Sequence, residues 1–227
     1  MSCLRDNERM PQSSTFSRLN PSPRFRALVE MYQTMHRDGE ADSGKAPTET
    51  FDGRSLLPHT RLIRDLIAKV EAKTLLDYGA GKGTLYNMRD LKAPTGEAYA
   101  DLRTYWGLDA VTLYDPGHAP YSAYPTGRFD AVISTDVLEH IPAEDIPWTF
   151  GELFGFAEKF VFVTIAGYRA NKMMPDGENA HCTIETSDWW QEQLNAARQA
   201  SGRSTRWFAL YIGAKGPQGR KITTLQG

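Results

Sequence analysis

The residues best suited to chemistry sit in one run, Asp77-Tyr78-Gly79-Ala80-Gly81-Lys82-Gly83. Glycine at alternate positions lets a chain turn tightly and bring its backbone close to a ligand. An apolar run at residues 74–77 precedes the turn, and a helix-like stretch at 84–91 follows it. A helix in that place aims N–H groups and the positive end of its dipole at whatever is bound. Spacing sets aside two nucleotide chemistries. A phosphate loop, G-x-x-x-x-G-K-[ST], needs Ser or Thr after its lysine, and Lys82 is followed by Gly83. A nicotinamide fingerprint, G-x-G-x-x-G, has its third glycine one residue later than Gly83, where Thr84 stands.

Two further groups stand in order behind the turn. Asp115 closes the apolar run 110–114, AVTLY. In doubly wound folds an acid at the end of the second strand accepts hydrogen bonds from ribose hydroxyls. Asp-Pro is also a common turn starter, and Pro116 follows. Next comes Phe129-Asp130-Ala131-Val132-Ile133-Ser134-Thr135-Asp136-Val137-Leu138-Glu139-His140-Ile141, a buried-strand pattern that ends in polar groups.

The glycine turn and the 129–141 run together resemble class I S-adenosyl-L-methionine (SAM)-dependent methyltransferases, in particular the small-molecule enzymes. Their motifs are similar to D-x-G-x-G-x-G after the first strand and F-D-x-V-x-x-x-x-V-L-E-H at the fourth. The resemblance runs from about residue 55 to 215 and is most specific at 75–84 and 129–141. It implies that Asp77, Tyr78, Gly79, Ala80, Gly81 and Gly83 wrap the methionine part of SAM. It implies Asp115 with Pro116 at the ribose, and Thr135, Asp136 and Val137 along the SAM cleft. SAM is then the methyl donor, S-adenosyl-L-homocysteine the product, and a small molecule the acceptor. An oxygen of a sugar, lipid or secondary metabolite is the preferred target. The alternative is a SAM-binding module without transferase activity.

The acceptor side is carried by residues 167–183, a polar loop after the most apolar strand, 159–166. Ligands in open α/β sheets bind at that edge. Methyl transfer to a hydroxyl calls for a base, and His181 is the first candidate, His140 the second. Trp189-Trp190 reads as a core anchor. Metal-assisted relatives resemble a pattern with an Asp after strand four and an Asp-Asn pair after strand five. Asp136 is present, but Gly167-Tyr168-Arg169 follows Ala166, so the expectation is a metal-independent enzyme. The D/N-P-P-Y/F motif of DNA amino-methyltransferases is absent after the 129–134 strand.

The elements that must position these groups read as α/β. Helical stretches at 59–72, 98–106, 146–159 and 187–200 alternate with apolar strands at 74–77, 110–114, 129–134 and 159–166. Two closing strands, 206–212 and 221–225, suggest a terminal antiparallel pair. The expected architecture is a doubly wound, mostly parallel, Rossmann-like sheet. Asp77 and Asp115 stand 38 residues apart, which requires an insertion near 90–106; only 14 residues separate Asp115 from Phe129. The usual third strand is therefore shortened or missing, and residues 117–128, with Tyr121 and Tyr124, are expected to cover adenine instead. Residues 1–50 read as a disordered arm, a helix at 25–37 and a linker; residues 51–227 read as the transferase domain.

Bulk properties bound the rest. The chain has 227 residues, 41% hydrophobic and 24% charged, with a net charge of −2. No large positive field exists, so nucleic acid is not an expected partner. No apolar run is long enough for a spanning helix, so no membrane partner is expected. Cys3 and Cys182 do not make a disulfide framework, and the first 20 residues lack the apolar core of a secretory signal. These features point to the cytoplasm. Nothing in the sequence sets the oligomeric state.

Overall fold

The computed structural model describes residues 16–40, 43–92 and 96–227. Residues 1–15 of the expected arm at 1–23, Cys3 among them, lie outside the described residues; the rest of the arm is not loose, since Arg18 donates to the Tyr114 hydroxyl at 2.5 Å and pairs with Glu152. Helix α1 spans Pro23–Asp38. The Ser22 side chain caps it by accepting from the Phe25 amide, and Pro23 stands at the first helical position, where a missing N–H costs nothing. The Ser22 amide donates to the buried Asp145 carboxylate at 3.0 Å, which ties the start of α1 to the main body.

Helix α2, Thr60–Val70, buries Ile63, Leu66 and Ile67 at helical spacing. It feeds strand β1, Thr74–Tyr78. After the glycine turn, helix α3 covers only Thr84–Asn87. The expected helix over 84–91 stops there because Met88 takes an extended backbone, φ −67° and ψ 144°. Leu91 then begins strand β2, Leu91–Lys92, which pairs antiparallel with β3, Ala98–Tyr99. Helix α4, Leu102–Trp106, starts late because the Asp101 side chain caps it by accepting from the Thr104 amide. The small β2–β3 pair and α4 make up the insertion that the spacing required.

Strand β4, Ala110–Tyr114, precedes β5, Phe129–Thr135. Residues 115–128 between them hold one 3-10 turn, Ala119–Tyr121, and no strand. Helix α5, Ile146–Phe156, leads to β6, Ala157–Ala166. Helix α6, Ser187–Ala200, is capped by the Thr186 hydroxyl, which accepts from the Trp189 amide at 3.2 Å. Strands β7, Arg206–Gly216, and β8, Gly219–Gln226, close the chain as a hairpin.

The six-stranded sheet has the order β4-β1-β5-β6-β7-β8, parallel throughout except for the antiparallel edge strand β8. This is the expected doubly wound, Rossmann-like α/β architecture without the third strand. Alternate side chains enter two cores, as a sheet covered on both faces requires. Leu76, Val132, Val161 and Val163 face α5 and α6, with Trp190 and Trp207 filling that side. Leu75, Ile133, Phe160 and Phe162 face α2 and α4. Trp190 is fully buried, which agrees with the core-anchor reading; Trp189 packs partly buried against the same cluster. No helix among the described residues is long and apolar enough to cross a membrane.

A third, small core lies away from the sheet. Leu28 and Met35 of α1 pack on Met174 and Ala180 of the loop after β6, with Tyr32 and Phe51 against them. Burying side chains of this size contributes about 1.5–3 kcal/mol each. Helix α1 is thereby held over the carboxyl ends of the strands.

Candidate functional site

The strand ends and α1 enclose a cavity of about 500 Å³, inside the range of about 300–1,000 Å³ usual for small-molecule sites. Tyr78, Gly79, Ala80, Gly81, Asp115, Pro116, Thr135, Asp136, Val137, His140 and His181 all line it. Two expected cofactor residues, Asp77 and Gly83, do not. The Asp77 side chain turns under the turn and accepts a hydrogen bond from the Tyr86 hydroxyl at 2.8 Å. A side chain at Gly83 would point at Leu113 and Tyr121, not into the cavity. Tyr78 contributes its backbone, since its hydroxyl donates to Glu152 at 2.7 Å on the far side. Tyr121 and Tyr124, the expected adenine cover, also lie outside the cavity. Tyr124 donates to Glu152 at 3.0 Å, with the Arg18 guanidinium over its ring.

Gly79 and Gly81 are needed for two reasons. Both have positive φ, +87° and +57°. A side chain on Gly79 would strike the Val137 side chain, and one on Gly81 would come within 2.7 Å of the Phe51 carbonyl oxygen. The second contact corrects a simple expectation: the space beside Gly81 belongs to the segment before α2, not to a ligand.

Each backbone amide of the turn is engaged within the protein. Gly79 and Ala80 both donate to the Tyr114 carbonyl at 2.7 and 3.1 Å, and Lys82 donates to the Phe51 carbonyl at 2.9 Å. Gly83 donates to the Ala80 carbonyl at 3.0 Å. Gly81 donates to the Asp115 carboxylate at 2.8 Å, and Gly117 donates to its other oxygen, also at 2.8 Å. The one-turn helix behind them is too short for a substantial dipole. The expected field of free amides and a helix end is therefore not what this turn presents.

Electrostatics differ sharply along the site. Burial raises Asp77 to about 7, opposed by the Tyr86 hydrogen bond and assisted by the Asp115 charge. Burial also raises Asp115, against the pull of the Gly81 and Gly117 amides. His36 of α1 is pushed down to about 3 by burial and by Lys82, whose ammonium lies 3.0 Å from its Nδ1. Burial lowers His140 and raises Glu139. Glu139 does not line the cavity. Its carboxylate accepts from the Ala166 amide at 2.7 Å and its carbonyl accepts from the Thr183 amide at 3.1 Å. It thus staples the 3-10 turn Leu138–His140 to the end of β6 and to the end of the following loop.

That stapling brings His140 and His181 together, with ring centroids 4.8 Å apart. His140 Nδ1 lies 2.8 Å from the Ala180 carbonyl and 2.9 Å from the Tyr32 hydroxyl. His181 Nδ1 lies 2.6 Å from the Tyr168 carbonyl. A carbonyl only accepts, so each Nδ1 carries a proton, and Nε2 is the nitrogen that can hold a lone pair. The loop is held by Asn179, whose side-chain oxygen accepts from the Ala170 and His181 amides at 3.0 and 3.2 Å. Lys172 pairs with Glu40 at 2.7 Å, and Arg24 of α1 pairs with Asp176.

Among the contributors to the cavity that the sequence-based site lacks, three carry polar groups of note. Tyr32 and His36 come from α1, and Arg220 comes from β8, where its guanidinium lies 3.4 Å from the centre of the Tyr168 ring. Tyr32 and His36 are four residues apart on a helix, which is the one sequence sign that they share a face.

Residues 55–200 match the family described as "Methyltransferase domain". No curated protein matches the chain. Among solved structures, one similar chain is an O-methyltransferase family protein from Burkholderia thailandensis. It has 15% sequence identity and a TM-score of 0.45, and the match covers 90% of this chain and 66% of that one.

Proposed function

Because the chain belongs to the methyltransferase domain family, we propose that it binds SAM in the cavity and methylates an oxygen of a small hydroxylated molecule. The observation that carries this reading is the engagement of all five amides at positions 79–83. A dinucleotide or nucleoside phosphate is anionic and needs such amides free. SAM carries a sulfonium and an ammonium, so it needs acceptors. The cavity offers the Asp115 and Asp136 carboxylates together with strand-end carbonyls.

Asp115 is prepared for a ribose diol. Its oxygens are fixed by the Gly81 and Gly117 amides and remain at the cavity wall, where two hydroxyls can donate to an ionised pair of oxygens. Gly79 and Val137 shape the wall beside the methionine part. The acceptor hydroxyl sits toward Asp136, His140 and His181, and that cluster relieves it of its proton. As the new C–O bond forms, the S–C bond breaks in line, and its electron pair returns to sulfur to give neutral S-adenosyl-L-homocysteine. Proton removal of this kind is worth about 10²–10⁴ in rate.

Calorimetry tests the binding claim: SAM and S-adenosyl-L-homocysteine bind, NAD does not. NAD binding without SAM binding refutes the reading. Turnover is then read as the mass gain of one methyl in metabolite fractions incubated with SAM, which also separates an enzyme from a SAM-binding module.

A further inference from the structure

Asp136, His140 and His181 converge from three places: the end of β5, the 3-10 turn after it, and the loop after β6. One carboxylate oxygen and one nitrogen from each imidazole all lie within 4.8 Å of one another. We propose that these three residues hold a single divalent transition-metal ion of zinc-like character.

Four features favour a metal over an ordinary polar cluster. Each histidine is pinned through Nδ1 to a backbone carbonyl, Ala180 or Tyr168, which is how metal-ligating imidazoles are usually oriented. Nε2 of neither ring has a hydrogen-bond partner among the described residues, so both lone pairs are available. Nor does the Asp136 carboxylate have a hydrogen bond or ion pair among them. Asp136 also holds a left-handed backbone, φ +61°, beside the Thr164 hydroxyl that accepts from its amide at 3.0 Å. A non-glycine residue kept there marks a position that the surroundings impose.

Two imidazoles and one carboxylate suit zinc, iron, cobalt or nickel better than magnesium or calcium, which prefer oxygen. Ligand atoms about 2.1 Å from one ion stand about 3.0–3.4 Å apart, so the cluster closes by up to about 1.8 Å on binding. Asp136 is exposed and free to make that movement. Three protein ligands leave a coordination position open to the cavity. A hydroxyl bound there loses its proton to water at lower pH, and the oxygen then takes the methyl group with no redox change. The proposal departs from the expectation of a metal-independent enzyme, which rested on the lack of an Asp-Asn pair after β6, where this chain has His181 instead.

The role in catalysis rests on the function proposed above; binding of the ion does not. The test titrates chelator-treated full-length protein with zinc by calorimetry and with cobalt by visible absorption, in the absence of SAM. One equivalent binds at micromolar concentration or tighter, with the intense d–d bands of a nitrogen- and oxygen-ligated cobalt site. Asp136→Asn, which keeps a side chain tolerant of positive φ, and His181→Gln each weaken binding by at least tenfold while the circular dichroism spectrum is retained. Absence of binding, or binding unchanged in both variants, overturns the proposal; the second result would send the ion to the stacked His36–His118 pair instead. SAM titration of the same chelator-treated protein separates the two claims. SAM binding without metal binding sinks the metal site alone, and metal binding without SAM binding sinks the cofactor reading alone.

Discussion

Replacing Asp77 by Asn should make the protein more stable at high pH while leaving SAM binding in place. Asp77 is 3% exposed, at the end of β1, and accepts from Tyr86 at 2.8 Å. Burial lifts its carboxyl from 3.8 to about 7. A group whose pKa is higher folded than unfolded contributes stability fully present below its unfolded value. That stability is lost as the pH rises through the folded value. The window here runs from about pH 4 to about pH 7. The difference between the two values corresponds to at most about 4 kcal/mol at full ionisation. Asparagine has the same shape, stays neutral, and still accepts from the Tyr86 hydroxyl. Wild type and Asp77→Asn should therefore melt together near pH 4 and separate as pH rises. Above pH 8 the variant should melt on the order of 10 °C higher, given about 2–4 °C per kcal/mol for a chain of this size. Circular dichroism melts of ligand-free protein from pH 4 to 9 measure this. Parallel curves for the two proteins would refute the burial argument. SAM affinity at pH 6 should stay within about threefold, because Asp77 lies outside the cavity; a larger loss would return Asp77 to the ligand.

Three other perturbations test the site. Asp115→Ala should weaken SAM by about 1.5–3 kcal/mol in calorimetry, the worth of charge-assisted hydrogen bonds to a buried ligand; unchanged affinity removes the ribose role. Gly79→Ala combines a positive φ with a clash on Val137 and should weaken SAM at least tenfold, with partial recovery in the Gly79→Ala, Val137→Ala double variant. No recovery would mean that backbone strain, not the Val137 contact, dominates. His181→Ala should lower turnover by about 10²–10⁴ and leave SAM affinity within about threefold; a variant that melts earlier yet turns over normally would make His181 structural.

Local patterns were legible in the sequence where local chemistry decides. The AVTLY run at 110–114 and the helix at 187–200 were readable because apolar runs and caps act over a few residues. The helix expected over 98–106 was misread because Asp101 and Thr104 form a cap inside it, which delays its start to Leu102. The glycine turn was legible as a ligand-side turn, but its amide partners were not. Tyr114, Asp115 and Phe51 reach it from far along the chain. His140 and His181 were separate candidates 41 residues apart, and only the Glu139 staple makes them one cluster. The role of α1 had no local sign beyond Tyr32 and His36 sharing a face.

That role follows from the missing third strand. The short passage from Asp115 to Phe129 leaves the β4 edge of the sheet without the neighbour that would wall the Asp115 end of the cavity. Helix α1 stands there instead. Gln33 donates to the Pro116 carbonyl at 3.1 Å, and a side chain on Gly117 would lie 3.0 Å from Tyr32 Cβ. One face of α1 therefore meets the Asp115 turn while Leu28 and Met35 meet the loop that carries His181. A strand in this place would wall only the Asp115 end. A helix can reach the Asp115 turn and the far end of the cavity at once, and Tyr32 does so through its approach to Gly117 and its hydrogen bond with His140. The Arg24–Asp176 pair ties α1 to the loop directly, and Tyr32 reaches it through His140, whose Nδ1 lies 2.8 Å from the Ala180 carbonyl. Partly exposed ion pairs contribute about 0–1 kcal/mol each, so the apolar contacts of Leu28 and Met35 carry most of the closure. Loss of those contacts should loosen both ends of the cavity together, because one helix holds them.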